Sequence, residues 1–193
     1  MGYEISLLTI MGISIIGSLS LNLITGFCGQ VSLGHVAFVG IGAYTASLLT
    51  KAGTPFFAAL VAGMLLAGVF GIIVGLASLR VRHDFLAITT MGVNFVFLGV
   101  VRQQEWLGGE LGVSSIPDPG FGKLGFLVVV FGGVVLVVLL SVQIRRSWMG
   151  YAFEAIAGDE DTARMLGLDV SRYKLIAFAL GTALAGLAGG LYA

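Results

Sequence analysis

Long stretches without a charged residue determine the environment in which this chain folds. Five such stretches cover 5–50, 52–79, 85–101, 124–144 and 175–193. Only 10% of the residues are charged and the mean hydropathy is +1.04, whereas soluble domains carry about 25% charged residues. A water-soluble monomer of this composition could not cover its surface with polar groups. The sequence therefore predicts an integral membrane protein of the all-α class.

The number of membrane segments follows from the length of a helical crossing. A crossing needs about 20 apolar residues, so the run 5–50 is too long for one segment and suits two. The interruption falls naturally at 26–34, where three glycines and several polar residues break the helical pattern. We predict a polytopic bundle of about six segments, the second of them short enough to be partly re-entrant. They are 5–26, 34–50, 55–79, 84–102, 124–144 and 175–193.

The placement of Lys and Arg predicts the orientation, because cytoplasmic connections carry the excess of basic residues. Seven basic residues lie in two connections that must share a side: Arg80, Arg82, Arg145, Arg146, Arg164, Arg172 and Lys174. Lys51, Arg102 and Lys123 lie at the opposite ends of the segments. We therefore predict that 145–174 is cytoplasmic and that 103–123 is an outer loop. The N-terminus would then face outward if 34–50 crosses fully.

Several function classes are disfavoured by what the sequence lacks. Ten basic residues balance ten acidic ones, which leaves no electrostatic case for nucleic acid. No G-x-x-x-x-G-K-S/T motif is present, so the chain cannot bind ATP through a P-loop. Cys28 is the only cysteine and no Cys/His cluster has metal-ligand spacing. We predict no metal, no cofactor and no catalytic residue, hence no enzyme.

Small residues at every fourth position predict close helix packing in two segments. Residues four apart share a helix face, and small side chains let two backbones approach closely in lipid. Gly63, Gly71 and Gly75 belong to one stripe with Ala59 and Ala67. The other stripe contains Ala177, Gly181, Ala185, Gly189 and Ala193.

Polar side chains at membrane depth form a second candidate feature. Gln30, Ser32 and His35 follow the predicted helix interruption, and Asn94 lies in a later segment. Such groups tend to face the bundle interior, and a glycine-broken helix exposes backbone groups that bind solutes. One hypothesis is a substrate pathway through these four residues. The other is a set of interhelical hydrogen bonds without solute contact.

The connection 145–174 contains a predicted short helix. Asp159, Glu160 and Asp161 would begin it, since acidic residues are favourable at the positive end of the helix dipole. Ala163, Met165 and Leu166 would supply small and apolar contact positions, and Gly167 would end the helix. Docking onto a cytoplasmic partner would explain such a helix; the alternative is an ordinary surface loop.

Four sequence blocks resemble the branched-chain amino acid ABC transporter permeases of the LivM type. Residues 26–35 read GFCGQVSLGH and are followed by AFVGIGAY at 37–44. Residues 80–92 read RVRHDFLAITTMG, and residues 157–170 read AGDEDTARMLGLDV. The last block, AGLAGGLYA, occupies 185–193. The blocks span almost the whole chain in the order of the family.

The resemblance implies a single permease domain over 1–193 in a bacterial inner membrane. It implies import of branched-chain or other small amino acids, with a second permease subunit, cytoplasmic ATP-binding subunits and a periplasmic solute-binding protein as partners. Asp159, Glu160, Ala163 and Gly167 would belong to the helix that docks on the ATPase. The family normally continues with further spans, so we also expect the chain to be truncated at its C-terminus.

Three alternatives remain beside this interpretation. Related permeases for urea or short amides look much alike, so the solute is open. An intramembrane enzyme using His35 would need a nucleophile or a carboxylate pair within the bundle. A passive channel would need no docking helix.

Overall fold

A computed structural model describes residues 2–78, 83–109, 112–113, 116–117 and 120–193. These residues form α-helices and short helical turns, and they contain no strand. Arg80 and Arg82, on which the predicted orientation partly rests, lie outside the described residues, as do parts of the predicted outer loop 103–123. The helices are α1 (Gly2–Asn22), α2 (His35–Lys51), α3 (Phe56–Ser78), α4 (His83–Gln103), α5 (Gly122–Arg146), α6 (Trp148–Gly158), α7 (Glu160–Met165) and α8 (Val170–Tyr192).

Five of these helices are long and apolar enough to cross a membrane, namely α1, α3, α4, α5 and α8. They coincide with five of the predicted segments, and the prediction of a helical membrane bundle is confirmed. The remaining predicted segment, 34–50, corresponds to α2. With 17 residues at about 1.5 Å each, α2 is roughly 25 Å long and shorter than a typical hydrocarbon core.

The interruption between α1 and α2 contains two irregular pieces. α1 continues into a π-helical turn at Leu23–Phe27, and non-helical backbone follows as far as Gly34. Gly34 lies against the backbone of Thr90, about two turns inside α4, so α2 begins within the bundle. Non-helical backbone and a short helix therefore follow one another in this part of the bundle.

Helix α8 lies at the centre of the bundle and packs against α1, α2 and α3. Every member of the small-residue stripe on α3 is buried, and so is the stripe on α8 except for Ala193. A Cβ atom at Gly71 would overlap the side chain of Thr182 on α8. Close approach of the helix backbones therefore depends on the missing side chains.

The opposite faces of the crossing helices expose large apolar side chains. Leu65 on α3, Phe95 on α4 and Val128 on α5 are 60%, 61% and 70% exposed. In water this surface would be unfavourable by about 25 cal/mol per Å² of apolar area. It is the surface that lipid or another membrane subunit would cover.

Aromatic contacts show which helix ends lie together. Phe56 begins α3 and packs edge-to-face on Phe121 and Phe126 near the start of α5, with ring centroids 6.2 and 6.1 Å apart. We call this the outer end of the bundle, following the predicted orientation. The opposite, cytoplasmic end carries α6 and α7, and the helix interruption reaches it because Gly29 lies against Ala157 of α6.

Candidate functional site

The helix interruption at Cys28–Gly34 depends on glycines at two positions. Gly29 has φ of +69°, a left-handed conformation that is costly for other residues. A Cβ atom there would also lie 3.1 Å from the Cα atom of Ala157. At Gly34 a Cβ atom would overlap the Thr90 carbonyl. Glycine thus allows the backbone to turn at one point and to approach α4 at the other.

Gln30 connects this interruption to α8. Its side chain is 2% exposed, and its Nε2 atom donates a hydrogen bond of 3.1 Å to the backbone carbonyl of Lys174. The same nitrogen lies 3.4 Å from the Sγ atom of Cys28. The backbone amide of Gln30 donates to the carbonyl of Ile24 in the π-helical turn at 3.1 Å. Gln30 is therefore held on both its side chain and its backbone.

His35 connects the start of α2 to α1. Its Nε2 atom lies 2.7 Å from Ser20 Oγ, and the Ser20 hydroxyl lies 2.6 Å from the Gly17 carbonyl. The Ser20 hydroxyl has one proton, which it donates to Gly17, so the hydrogen-bond network assigns the imidazole proton to Nε2. The Nδ1 atom of His35 is then an acceptor, and it is buried without a hydrogen-bond partner among the described residues.

Thr90 connects α4 to the same segment. The Leu33 amide donates to Thr90 Oγ1 at 3.0 Å. Ser32 is 6% exposed, and its hydroxyl has no hydrogen-bond partner in the described part of the chain. Asn94 lies one turn beyond Thr90 on the same helix face and is half-buried. Gln30, Ser32 and His35 are thus buried in one segment, and Asn94 lies one turn from the threonine that contacts it.

The sequence did not single out Ser20 or Lys174 as partners of this segment. Ser20 is one of several serines on α1, and Ser14 and Ser18 donate to backbone carbonyls of their own helix. The polar residue alone therefore carries no signal that would distinguish Ser20. Lys174 contributes a backbone carbonyl, which no sequence pattern reveals.

Helix α7 begins as the acidic residues predicted. Asp159 is its N-cap and accepts hydrogen bonds from the Thr162 hydroxyl and from the Asp161 amide. These hydrogen bonds hold the pKa of the exposed Asp159 carboxyl below its ordinary value. The Asp159 carboxylate is therefore charged at neutral pH, and its negative charge stabilises the positive N-terminal end of the short helix.

The remaining predicted docking residues divide between the interior and the surface. Glu160 forms an ion pair with Lys174 of α8, and the two side chains are 15% and 14% exposed. Ala163 is 1% exposed and faces the chain's own helices. Met165 and Leu166 are 88% and 75% exposed, and Gly167 follows them with φ of +85°. The apolar tip of α7, Met165 and Leu166, is therefore accessible to a partner.

A cavity of about 280 Å³ lies at the outer end of the bundle. Its lining includes Ser47 and Thr50 from α2, Phe56 from α3, and Lys123 and Phe126 from α5. Within the described residues, no group of three His, Cys, Asp or Glu side chains is arranged to hold a metal ion.

The comparisons with known proteins identify the family of this chain. A family described as the branched-chain amino acid transport system permease component matches residues 4–193. The chain is 33% identical over 220 residues to the high-affinity branched-chain amino acid transport system permease protein LivM of Escherichia coli K12. That alignment covers 98% of this chain and 52% of the relative.

Two further relatives show the breadth of the comparison. A probable branched-chain amino acid transport permease protein LivM of Methanocaldococcus jannaschii is 24% identical over 94% of this chain and 64% of its own length. The D-allose transport system permease protein AlsC of Escherichia coli K12 is 30% identical over 77% of this chain and 46% of its own length. The chain spans about half the length of the relatives it matches first. No solved structure matches it at a significant level.

Proposed function

Because this chain belongs to the family of branched-chain amino acid transport permease components, we propose that it forms part of the membrane-spanning subunit of an ABC importer for branched-chain or other small amino acids. The predicted resemblance to this family is confirmed. The chain is a multi-pass protein of the inner membrane, with five helices suited to crossing it. The solute and the partner subunits belong to the proposal.

The observation that carries the proposal is the apolar tip of α7. Two large apolar side chains, Met165 and Leu166, stand exposed at the cytoplasmic end of the bundle. The helix that carries them is anchored to the start of α8 by the Glu160–Lys174 ion pair. Exposed apolar side chains on an anchored helix are suited to insertion into a protein pocket. We assign that pocket to a cytoplasmic ATP-binding subunit.

The proposed mechanism is alternating access. ATP binding would close the ATP-binding subunits and displace α7, and the displacement would rearrange the bundle around the helix interruption. A periplasmic solute-binding protein would deliver the solute at the outer end, and a second permease subunit would complete the pathway. The helix interruption supports this mechanism, because irregular backbone at membrane depth is tolerated where it is buried in protein or lines a solute path.

Branched-chain amino acids are the preferred solute class because the family that matches residues 4–193 and the relative that is 33% identical over 98% of this chain are both named for them. Three permeases named for sugars are 30% identical or less. Urea and short amides remain alternative solutes within the proposal. Uptake of radiolabelled leucine, D-allose and urea by proteoliposomes containing the assembled transporter separates these solutes. Saturable leucine uptake is expected, and saturable uptake of only another solute would overturn the assignment.

Docking is tested by replacing Met165 and Leu166 together by serine in the full-length permease. We expect co-purification of the ATP-binding subunit to fall about tenfold or more, because buried apolar anchors dominate interface energies. The matched control is Tyr151→Ser, which removes a 62% exposed ring from α6 at the same end of the bundle. Equal subunit recovery from all variants would refute docking through α7. Absence of the ATP-binding subunit from every preparation, the unsubstituted permease included, would favour the passive channel, which needs no such subunit.

A further inference from the structure

We propose that Lys174 is a positioning residue that links the cytoplasmic helix α7 to the helix interruption inside the membrane. Its ammonium group binds Glu160 of α7, and its backbone carbonyl accepts the hydrogen bond from Gln30. One residue therefore joins the element that a partner can reach to the segment that carries the buried polar groups. The inference rests on the proposed function, since it describes how movement of α7 reaches the membrane.

The first contact is an ion pair shielded from water. Both side chains are about 85% covered, whereas the Arg164 guanidinium, 3.8 Å from Glu160, is 58% exposed. Charges removed from water interact more strongly than surface pairs, and breaking one partner leaves the other charge uncompensated. Lys174 is therefore the stronger attachment of Glu160. Helix α7 has only six residues and is too short to be stable without such an attachment.

The second contact uses a different part of the same residue. Lys174 is the fifth residue of α8, and its carbonyl oxygen has two lone pairs. One serves the hydrogen bond within the helix, and the other accepts from Gln30 Nε2. Because this bond involves the backbone, it follows any movement of the first turns of α8. The Gln30 side chain is thereby coupled to α8, while its backbone stays bonded to the turn that continues α1.

The third contact strengthens the connection through α6. Gly29 packs against Ala157, one turn before α7 begins. From Gln30 the connection continues through the Leu33–Thr90 hydrogen bond to α4 and through the His35–Ser20 hydrogen bond to α1. Contiguous packed and hydrogen-bonded groups of this kind carry energetic coupling between distant sites. The relay Glu160–Lys174–Gln30 combines a buried ion pair with a hydrogen bond into the interruption.

The test uses the full-length permease assembled with its ATP-binding and solute-binding subunits in proteoliposomes. Lys174→Met removes the ammonium group, keeps the side-chain length and leaves the backbone carbonyl in place. We expect the number of solute molecules imported per ATP hydrolysed to fall about fivefold or more, the lower bound for allosteric coupling between sites. Arg172→Met is the matched control, because Arg172 lies exposed in the first turn of the same helix. Its coupling ratio is expected to stay unchanged.

A second readout follows the interruption directly. Cys28 is 1% exposed and neighbours Gln30, and it is the only cysteine in these 193 residues. With any cysteine outside them replaced by serine, alkylation of Cys28 by N-ethylmaleimide is measured with and without trapped ATP. We expect the rate to depend on the nucleotide in the unsubstituted protein and in Arg172→Met, and to lose that dependence in Lys174→Met.

The reversed pair separates a positioning role from general damage to the fold. The double variant Glu160→Lys with Lys174→Glu restores an ion pair and should recover the coupling ratio that each single variant loses. Normal coupling and normal nucleotide dependence in Lys174→Met would overturn the relay while leaving the proposed function intact. Loss of ATP-binding subunits from the unsubstituted protein would instead overturn the proposed function.

Discussion

Individual polar residues in the helix interruption serve first to hold elements together. Gln30 bonds to α8 and His35 bonds to α1, which matches the hypothesis of interhelical hydrogen bonds for these two side chains. Ser32 Oγ and His35 Nδ1 are buried without a hydrogen-bond partner among the described residues. A buried acceptor without a donor is costly, by about 1–3 kcal/mol. The substrate-pathway hypothesis therefore rests on these two atoms, which could form hydrogen bonds with a solute. Both hypotheses stay predictions.

The two hypotheses for His35 predict different effects of substitution: loss of an interhelical hydrogen bond lowers thermal stability, whereas loss of a solute contact raises KM. Ser20→Ala leaves the Nε2 proton of His35 without its acceptor, and we expect thermal stability in detergent to fall while KM for the solute is unchanged. His35→Leu removes both ring nitrogens. If His35 touches solute, KM rises in His35→Leu but not in Ser20→Ala; equal KM values in both variants would exclude solute contact by this ring.

At the scale of elements, the small residues allow helix backbones to approach closely at particular points. Gly42 on α2, Gly63 on α3 and Gly186 on α8 meet at one point of the bundle. A Cβ atom at Gly42 would overlap the Gly186 backbone. The predicted stripes contain Gly63 but neither Gly42 nor Gly186. A period of four identifies a helix face, but it does not reveal the point where three helices cross.

Adding a single methyl group at this crossing tests how closely the helix backbones approach. Gly42→Ala should lower the melting temperature of the purified protein, because overpacking against backbone costs about 1–3 kcal/mol. Gly132→Ala on α5 is the matched control, since a Cβ atom there meets nothing within 4 Å. Alanine in an open helical position gains stability by about 0.4–1 kcal/mol where the backbone is compatible. A melting temperature of Gly42→Ala at or above that of Gly132→Ala would contradict the close approach.

At the scale of the whole molecule, the question is on which side of the membrane each connection lies. Residues 3 and 51 flank α1 and α2, whereas residues 51 and 148 flank α3, α4 and α5. If α2 and the non-helical backbone before it cross together, the chain crosses twice between residues 3 and 51. A re-entrant segment would leave a single crossing there.

Single-cysteine variants in a Cys28→Ser background decide between these arrangements. Tyr3→Cys, Lys51→Cys and Trp148→Cys replace exposed residues. A membrane-impermeant maleimide added to intact cells should label the first two and spare the third until the membrane is opened. Labelling of only one of Tyr3→Cys and Lys51→Cys from outside would show that α2 does not complete a crossing. Labelling of Trp148→Cys in intact cells would reverse the orientation.

The sequence alone sufficed wherever the physical cause is local or depends on composition. Scarcity of charge determined the membrane environment, because unpaired charges are costly in hydrocarbon. Apolar length determined the helices, and the acidic residues with Gly167 predicted α7, because caps and left-handed glycines act within a few residues. The short α2 shows the limit of that reasoning, since the irregular backbone before it is held by Thr90 of α4, a contact that its length does not predict.

Only the tertiary structure decided which distant residues of the chain contact one another. Gln30 bonds to the Lys174 carbonyl 144 positions away, and Ala163 faces inward while Met165 and Leu166 face outward. Such pairings depend on how each helix is rotated about its axis and on which helices are neighbours. In lipid, hydrophobicity does not select that rotation, because every apolar face is equally compatible with the solvent. The sequence thus determined what crosses the membrane, and packing and hydrogen bonds between distant residues decided what is joined inside it.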